Sequence, residues 1–190
     1  MDMSSDKAQQ VQINFRHALS QLQFQLRRKA GENINVHVSE IALVGTNTVG
    51  SFRFPRETTA QGVTTGVGTW REQANVADYT VYTGQTFDLT DTPTAYNSTG
   101  FMFAIPQDLV EVPENQYNTG TFVRIKCNIT DSGNAGHLVW PTTGTPGYDS
   151  ATQTAYIYFP LYSREYNLWE PGKAYRYVLN VGVPGKAGVI

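Results

Sequence analysis

The stretch Leu22-Gln-Phe-Gln-Leu26 alternates apolar side chains with amide side chains, residue by residue. The same alternation recurs in Ile34-Asn-Val-His-Val38 and in Tyr175-Arg-Tyr-Val-Leu-Asn-Val181. Successive side chains of a β-strand point to opposite faces, so a period of two marks a strand with one buried face. The alternation therefore predicts half-buried strands, and it is the dominant pattern along the chain.

Two changes of parity interrupt the alternation near the start of the chain. Apolar positions are odd-numbered through Phe15 and even-numbered from Leu22, and a second change falls between Val38 and Ile41. A parity change within a strand requires an inserted residue, so we expect one bulge at residues 17–21 and another after Val38. A helical stripe at Phe15, Leu19, Leu22 and Leu26 is an alternative for the first region, although Phe24 does not fit it.

Other segments are apolar throughout or irregular. The runs Phe101–Ile105 and Ala155–Phe159 predict central strands that are covered on both faces. Asn47-Thr-Val-Gly50 is typical of a turn. Residues 55–100 predict a long irregular excursion with small strands near 78–82 and 86–89. With about eight strands and no clear helix, the chain is expected to be an all-β, two-sheet antiparallel sandwich.

Composition limits the classes of function. The 190 residues carry a net charge of −2 and only 16% charged residues, without a basic stripe, so nucleic acid is not an expected partner. The single cysteine, Cys127, alternates with apolar neighbours and is expected to be buried.

No apolar run approaches the roughly 20 residues that span a bilayer, so no transmembrane segment is predicted. We expect one sandwich domain over residues 1–190, in which residues 1–10 form a linker or flexible N-terminus.

The polar N-terminus lacks a signal peptide, so we expect an excised domain of a longer protein.

Titratable residues do not form a recognisable catalytic or metal-binding motif. The histidines His17, His37 and His137 lie far apart in sequence, and no pair among Glu111, Glu114, Asp131 and Asp149 is singled out. We therefore expect no enzyme activity, no metal and no cofactor.

Two tryptophans are the candidate ligand-binding aromatics. Trp140 precedes Pro141 in a Gly- and Pro-rich segment and is the best candidate for an exposed ring, and Trp70 is the second. Trp169 and Tyr175 are expected to pack in the core or in a turn, because aromatic side chains supply much of the buried area of a small sandwich.

Three short motifs occur in a characteristic order: Phe15-x-His-Ala-Leu-Ser20, Ile105-Pro-Gln107 and Trp169-x-Pro-Gly-Lys-x-Tyr175. Together they resemble the C-terminal domain of the fimbrillin-like proteins of Bacteroides-type bacteria, which are subunits and tip proteins of surface pili. The resemblance implies a transthyretin-like sandwich, the second of two domains, located in a pilus attached to the outer membrane at the cell surface. It also implies that other pilin subunits are partners through strand exchange, and that host or bacterial surface receptors are further partners in adhesion.

The resemblance nominates several residues. Strand donation would use an assembly edge near the chain ends, for which Val11, Ile13, Phe15, Val189 and Ile190 are the candidates. Asp149-Ser150-Ala151 resembles the O-glycosylation triplet of this bacterial group, which nominates Ser150. The stalk, tip and anchor roles are not separated by these motifs.

A different class of function remains open. A surface glycan-binding lipoprotein domain of the same bacterial group would need two or more aromatics on one exposed surface, drawn from Trp70, Trp140 and nearby tyrosines.

Overall fold

The computed structural model describes residues 16–56, 66–96, 100–113, 116, 119–134 and 136–184. The described part contains nine strands and no helix. They are β1 (Ser20–Arg28), β2 (Ile34–Arg53), β3 (Thr69–Asp88), β4 (Thr94–Ala95), β5 (Met102–Ala104), β6 (Phe122–Asp131), β7 (Leu138–Trp140), β8 (Ala155–Pro160) and β9 (Ala174–Val181).

The first sheet is organised around β1. Strand β9 pairs with β1 in parallel from Gln21 to Arg28, along one whole edge. Strands β4 and β5 pair antiparallel with β1, and because β9 covers one edge they both lie along the other. The expectation of purely antiparallel sheets is therefore wrong for this sheet, which is mixed. A parallel partner is possible here because a long crossover separates β1 from β9 in sequence.

The second sheet has the order β3-β2-β6, and β7 and β8 pair with successive parts of the far edge of β6. All of these pairs are antiparallel. The predicted all-β, two-sheet sandwich is confirmed.

The core lies between the inner faces of the two sheets. Every second side chain of β1 from Leu22 to Leu26 and of β2 from Ile34 to Val38 enters it, and Leu22, Leu26 and Val36 are fully buried. Cys127 is also fully buried, as predicted, and burial raises the pKa of its thiol well above the ordinary value. A thiol held neutral in this way is a packing residue and not a nucleophile.

Alternation predicted the local structure of two regions correctly. Residues 20–28 form a strand, so the helical alternative is wrong for the part of it that is described. The parity change after Val38 is a bulge, since the register of β2 with both neighbours shifts between Val38 and Glu40. The predicted bulge at residues 17–21 is not found, because β1 begins only at Ser20 and residues 16–19 are not strand.

The two wholly apolar runs are outer strands and not central ones. In the described part, β5 pairs only with β1 and β8 pairs only with β6. Phe103 in β5 is 47% exposed, and Tyr156 in β8 is half-buried beneath the Arg124 guanidinium. The outward-facing apolar residues of these strands therefore lie at the edge of a sheet. A continuous apolar sequence does not distinguish such an outer strand from a central one.

The predicted excursion is largely one strand. Residues 69–88 form β3, and the expected turn at residues 47–50 lies inside β2. Beyond Val44, β2 no longer pairs with β6, so residues 45–53 and 69–77 form a two-stranded ribbon, called the arm below.

A close backbone approach marks the start of the arm. Gly45 has φ +74°, and a Cβ atom there would lie 1.8 Å from the carbonyl oxygen of Gly120. Only glycine fits a position with both a left-handed backbone and no space for a side chain. Gly45 therefore sets the point at which β2 leaves the sheet.

Candidate functional site

A cleft of about 490 Å³ lies along one side of the sandwich, between β8 of the second sheet and β9 of the first. In the described part of the chain, each of these strands is the outer strand of its sheet. The side chains that line the cleft are mostly aromatic or aliphatic. They include Phe159, Leu161, Tyr166, Tyr175, Tyr177 and Leu179.

The backbone of β9 presents an ordered edge to this cleft. The amides of Gln21 and Lys29 donate to the carbonyls of Lys173 and Val181, both at 2.9 Å, so odd-numbered residues of β9 bond toward β1. The backbone groups of the even-numbered residues therefore face away from β1. No strand in the described ranges pairs with them. These residues are Ala174, Arg176, Val178 and Asn180.

The edge of β8 differs from that of β9. The amide of Leu161 donates to the carbonyl of Thr121 at 3.0 Å, which places Pro160 among the residues whose backbone faces away from β6. Proline has no amide hydrogen, and it is common at outer strands for that reason. Strand β8 has six residues, and its outward edge ends at a residue that cannot donate. Strand β9 therefore has the longer edge, and each of its outward-facing residues has an amide hydrogen to donate.

The floor of the cleft is held by buried aromatic contacts. Trp169 is fully buried, as expected from the sequence, and its Nε1 donates to the Tyr177 hydroxyl at 2.8 Å. The Tyr177 ring stacks on Phe24 with centroids 5.5 Å apart, and burial raises the pKa of Tyr177. The Tyr175 hydroxyl accepts from the amide of Glu170 at 2.9 Å. These contacts fix the aromatic side chains at the start of β9.

The family profile described as Fimbrillin-like matches residues 2–189 of the chain. The chain belongs to the fimbrillin-like family. This membership supports a general role as a pilus subunit and a place in a cell-surface appendage, and the family is structural and not enzymatic. A comparison with curated proteins found no match.

The assembly-edge residues nominated for this fimbrillin-like chain fall outside the described residues. Val11, Ile13, Phe15, Val189 and Ile190 all lie there, so their role stays a prediction. The sequence did not identify β9 as an open edge, although its alternation predicts a half-buried strand. Alternation shows which face is buried, whereas an open edge depends on which strands lie beside it.

The two candidate aromatics have different environments. Trp140 is only 5% exposed, so the prediction of an exposed ring is wrong. Its strand β7 pairs it with Ile129 of β6, which turns the indole into the core. Trp70 is half-buried in the arm, where its Nε1 donates to the carbonyl of Ala18 at 2.7 Å.

Trp70 also lines a shallow groove of about 430 Å³ together with Tyr79 and Phe103. Trp70 and Tyr79 therefore share one groove, in which both side chains are half-buried, whereas Trp140 lies in the core.

Ser150 is exposed in the turn between β7 and β8, so it is accessible, and its glycosylation stays a prediction. Its neighbour Asp149 accepts from the Lys126 ammonium at 3.0 Å and from the amide of Ala151 at 3.0 Å. The Lys126 hydrogen bond is the largest cause that lowers the pKa of Asp149 to about 2. Asp149 is thus a charged anchor of this turn.

Two further titratable candidates, His37 and Asp131, have local hydrogen-bond partners. His37 lies between Asp88 and Thr130 on the neighbouring strands, with its Nε2 3.0 Å from the Thr130 hydroxyl. Asp131 accepts from the amide of Gly133 in its own turn, and Glu114 lies outside the described residues. Within the described ranges no group of His, Cys, Asp and Glu could hold a metal ion. The same ranges contain no helix long and apolar enough to cross a membrane.

Proposed function

We propose that the chain is a structural subunit, or a tip or anchor component, of a bacterial surface pilus that supports adhesion. Another subunit donates a β-strand into the β8–β9 cleft. The observation that carries this proposal is the regular outward edge of β9 beside an apolar cleft. Family membership supports the pilus, and the geometry of the cleft supports strand donation as the mode of assembly.

The backbone of β9 supplies the first part of the interaction. Its register with β1 runs through eight consecutive pairs, from Gln21↔Ala174 to Arg28↔Val181, without a bulge. An incoming strand can therefore hydrogen-bond to four evenly spaced residues of β9. This is β-augmentation, in which main-chain hydrogen bonds supply affinity.

The side chains supply the second part. An added strand places every second residue inward, over Tyr175, Tyr177 and Leu179. Burial of an apolar side chain contributes about 1.5 to 3 kcal/mol, so three inward residues contribute about 5 to 9 kcal/mol before the costs of association. The donor is therefore expected to alternate apolar and polar residues.

One of the two segments nominated from the sequence has this alternation, because Val11, Ile13 and Phe15 alternate with Gln12 and Asn14. We propose that Val11, Ile13 and Phe15, and Val189 with Ile190, belong to strands that are exchanged between subunits. The proposal also includes the organisation implied by the resemblance, in which this transthyretin-like sandwich is the C-terminal one of two domains.

A proline at Val178 tests the acceptor edge. The amide of Val178 faces away from β1, so Val178→Pro removes a donor from the outer edge without removing a bond to β1. Val178→Ala is the matched control, because it also removes the branched isopropyl group but keeps the amide hydrogen. Both variants are introduced into the full-length protein in the bacterium that makes it, and surface material is examined for detergent-resistant ladders on gels.

We expect ladders from the wild type and from Val178→Ala, and their loss in Val178→Pro. Circular dichroism and thermal unfolding of the purified domain establish that Val178→Pro keeps its fold. Ladders of normal length from Val178→Pro would overturn the assignment of β9 as acceptor. A wild type that never forms ladders would overturn the role in a polymer.

Glycan binding is a second candidate because of the groove around Trp70. Trp70, Tyr79 and Phe103 line it, and the polar side-chain groups among its lining residues are the Thr48 and Tyr79 hydroxyls and the Trp70 indole nitrogen. The Thr48 hydroxyl and the Trp70 nitrogen already donate to backbone carbonyls, which leaves few partners for sugar hydroxyls. Trp140 and Trp169 are buried, so a change in tryptophan fluorescence on adding an oligosaccharide would report Trp70. A change that disappears in Trp70→Phe supports this second function, and a flat titration retires it.

A further inference from the structure

Strand β3 is a second long outer strand. It has 20 residues and, among the described residues, pairs only with β2. Most of its side chains are exposed. An outer strand of this length is a template for pairing with another chain, and proteins that remain soluble modify such edges.

The register of β3 is broken, unlike that of β9. Its pairing with β2 shifts at four points, between Val38 and Glu40, Ile41 and Ala42, Leu43 and Thr46, and Val49 and Ser51. The longest regular run therefore covers four residues of β3, Ala74–Ala77. Each bulge twists the edge and interrupts the row of outward backbone groups that a partner strand needs.

Two residues of β3 have a left-handed backbone although neither is glycine. Glu72 has φ 52° and Asn75 has φ 56°. A left-handed residue rotates its peptide groups out of the plane of the sheet, and it persists only where its surroundings hold it.

Strand β2 supplies the contacts that hold this left-handed pair. The Ser51 hydroxyl donates to Oε2 of Glu72 at 2.7 Å, and the Thr48 hydroxyl donates to the carbonyl of Asn75 at 2.7 Å. Gln73, between them, donates through Nε2 to the carbonyl of Pro106 at 2.8 Å. The irregular conformation is thus built into the ribbon by specific hydrogen bonds.

We propose that the left-handed pair, Glu72 and Asn75, closes the β3 edge to the β3 strand of a second copy of this chain, so that of these two long outer strands in the described part only β9 accepts a partner strand. The inference rests on the proposed function and adds to it a reason for unbranched assembly. A subunit with one acceptor edge extends a fibre in a line, whereas a second open edge would join fibres side by side.

The test uses protein in which β9 is already blocked by Val178→Pro. In that background Glu72→Val and Asn75→Val are combined, because β-branched residues disfavour the left-handed region and favour extended strand. The matched control combines Glu72→Gly with Asn75→Gly, which removes the same side chains but keeps the left-handed backbone accessible. Sedimentation velocity gives the oligomeric state, and amide hydrogen exchange locates any new contact.

We expect the β9-blocked protein and its glycine control to be monomers. The valine variant should form dimers or larger oligomers, with new protection of amides in β3. Association of the β9-blocked protein through β3 while Glu72 and Asn75 are intact would overturn the inference. So would a valine variant, folded by circular dichroism, that associates no more than its glycine control. Neither result depends on the pilus ladders, so failure of this inference is distinguishable from failure of β9 as the acceptor.

Discussion

One strand, β2, runs through two different environments, and the comparison shows what burial depends on. Residues 34–44 pair with β6, residues 37–43 also pair with β3, and Val36, Val38 and Leu43 are fully buried in this half. In the arm the same strand pairs only with β3, and Val49 is 50% exposed. Both halves have apolar residues, so the number of neighbouring strands and the opposing sheet decide which of them enter a core.

The largest expected effect is at the boundary between the two halves. Gly45→Ala places a methyl group 1.8 Å from the carbonyl oxygen of Gly120 at a residue with φ +74°. Since the obstacle is backbone, relief requires β2 or the chain at Gly120 to move. We expect a loss of at least about 3 kcal/mol in the free energy of unfolding, measured by urea denaturation.

Gly31→Ala is the control for this boundary. Gly31 has φ +83°, but a Cβ atom there would meet nothing within 4 Å. It therefore isolates the backbone penalty, which is about 1 to 2 kcal/mol. Equal losses in the two variants would show that the contact between Gly45 and Gly120 adds nothing, and that this contact does not set the point at which the arm leaves the second sheet.

The next effect compares one chemical change in the two halves of β2. Val36→Ala removes two methyl groups from a fully buried side chain, and we expect a loss of about 2 to 3 kcal/mol. Val49→Ala changes a half-exposed side chain of the arm, and its effect should stay within about 0.5 kcal/mol. Urea unfolding followed by circular dichroism measures both, and comparable losses would mean that the arm belongs to the same cooperative core.

The smallest effect concerns the ion pair between Lys126 of β6 and Asp149 in the turn before β8. The Lys126 ammonium lowers the pKa of Asp149 from 3.8 to about 2, so the folded state favours the charged carboxylate. The resulting stabilisation is present above pH 3.8 and is lost as the pH falls through about 2.

Urea unfolding of wild type and Asp149→Asn over this pH range tests the prediction. The wild type should be slightly more stable above pH 3.8, and the difference should disappear near pH 2. A difference that is constant with pH would assign the effect to hydrogen bonding of the turn and not to charge.

The sequence predicted those parts of the fold in which burial follows a strict alternation. Strand β1, the bulge after Val38 and buried Cys127 follow from side-chain parity, which the core enforces. Strand β3 was divided into fragments because its bulges shift the parity repeatedly and because its exposed residues carry little apolar signal. The sequence of a Gly- and Thr-rich ribbon at a sheet edge therefore resembles that of a loop.

The candidate site was less predictable than the fold. Tyr175, Tyr177 and Leu179 were recognised as one face of a strand, but the cleft also needs Phe159 and Leu161 from the other sheet. Which two outer strands lie on the same side of a sandwich is a property of topology and not of local pattern. Trp140 shows the same limit, because the pairing of β7 with β6 decides where its ring points.

The parallel pairing of β1 with β9 has a mechanical consequence. Because the two strands run in the same direction, the start of β1 at Ser20 and the end of β9 at Val181 lie at opposite ends of the pair. A pulling force that enters at Ser20 and leaves at Val181 therefore acts along the strands and loads all their mutual hydrogen bonds at once. An antiparallel pair pulled at those same two termini would instead be opened one bond at a time, at much lower tension.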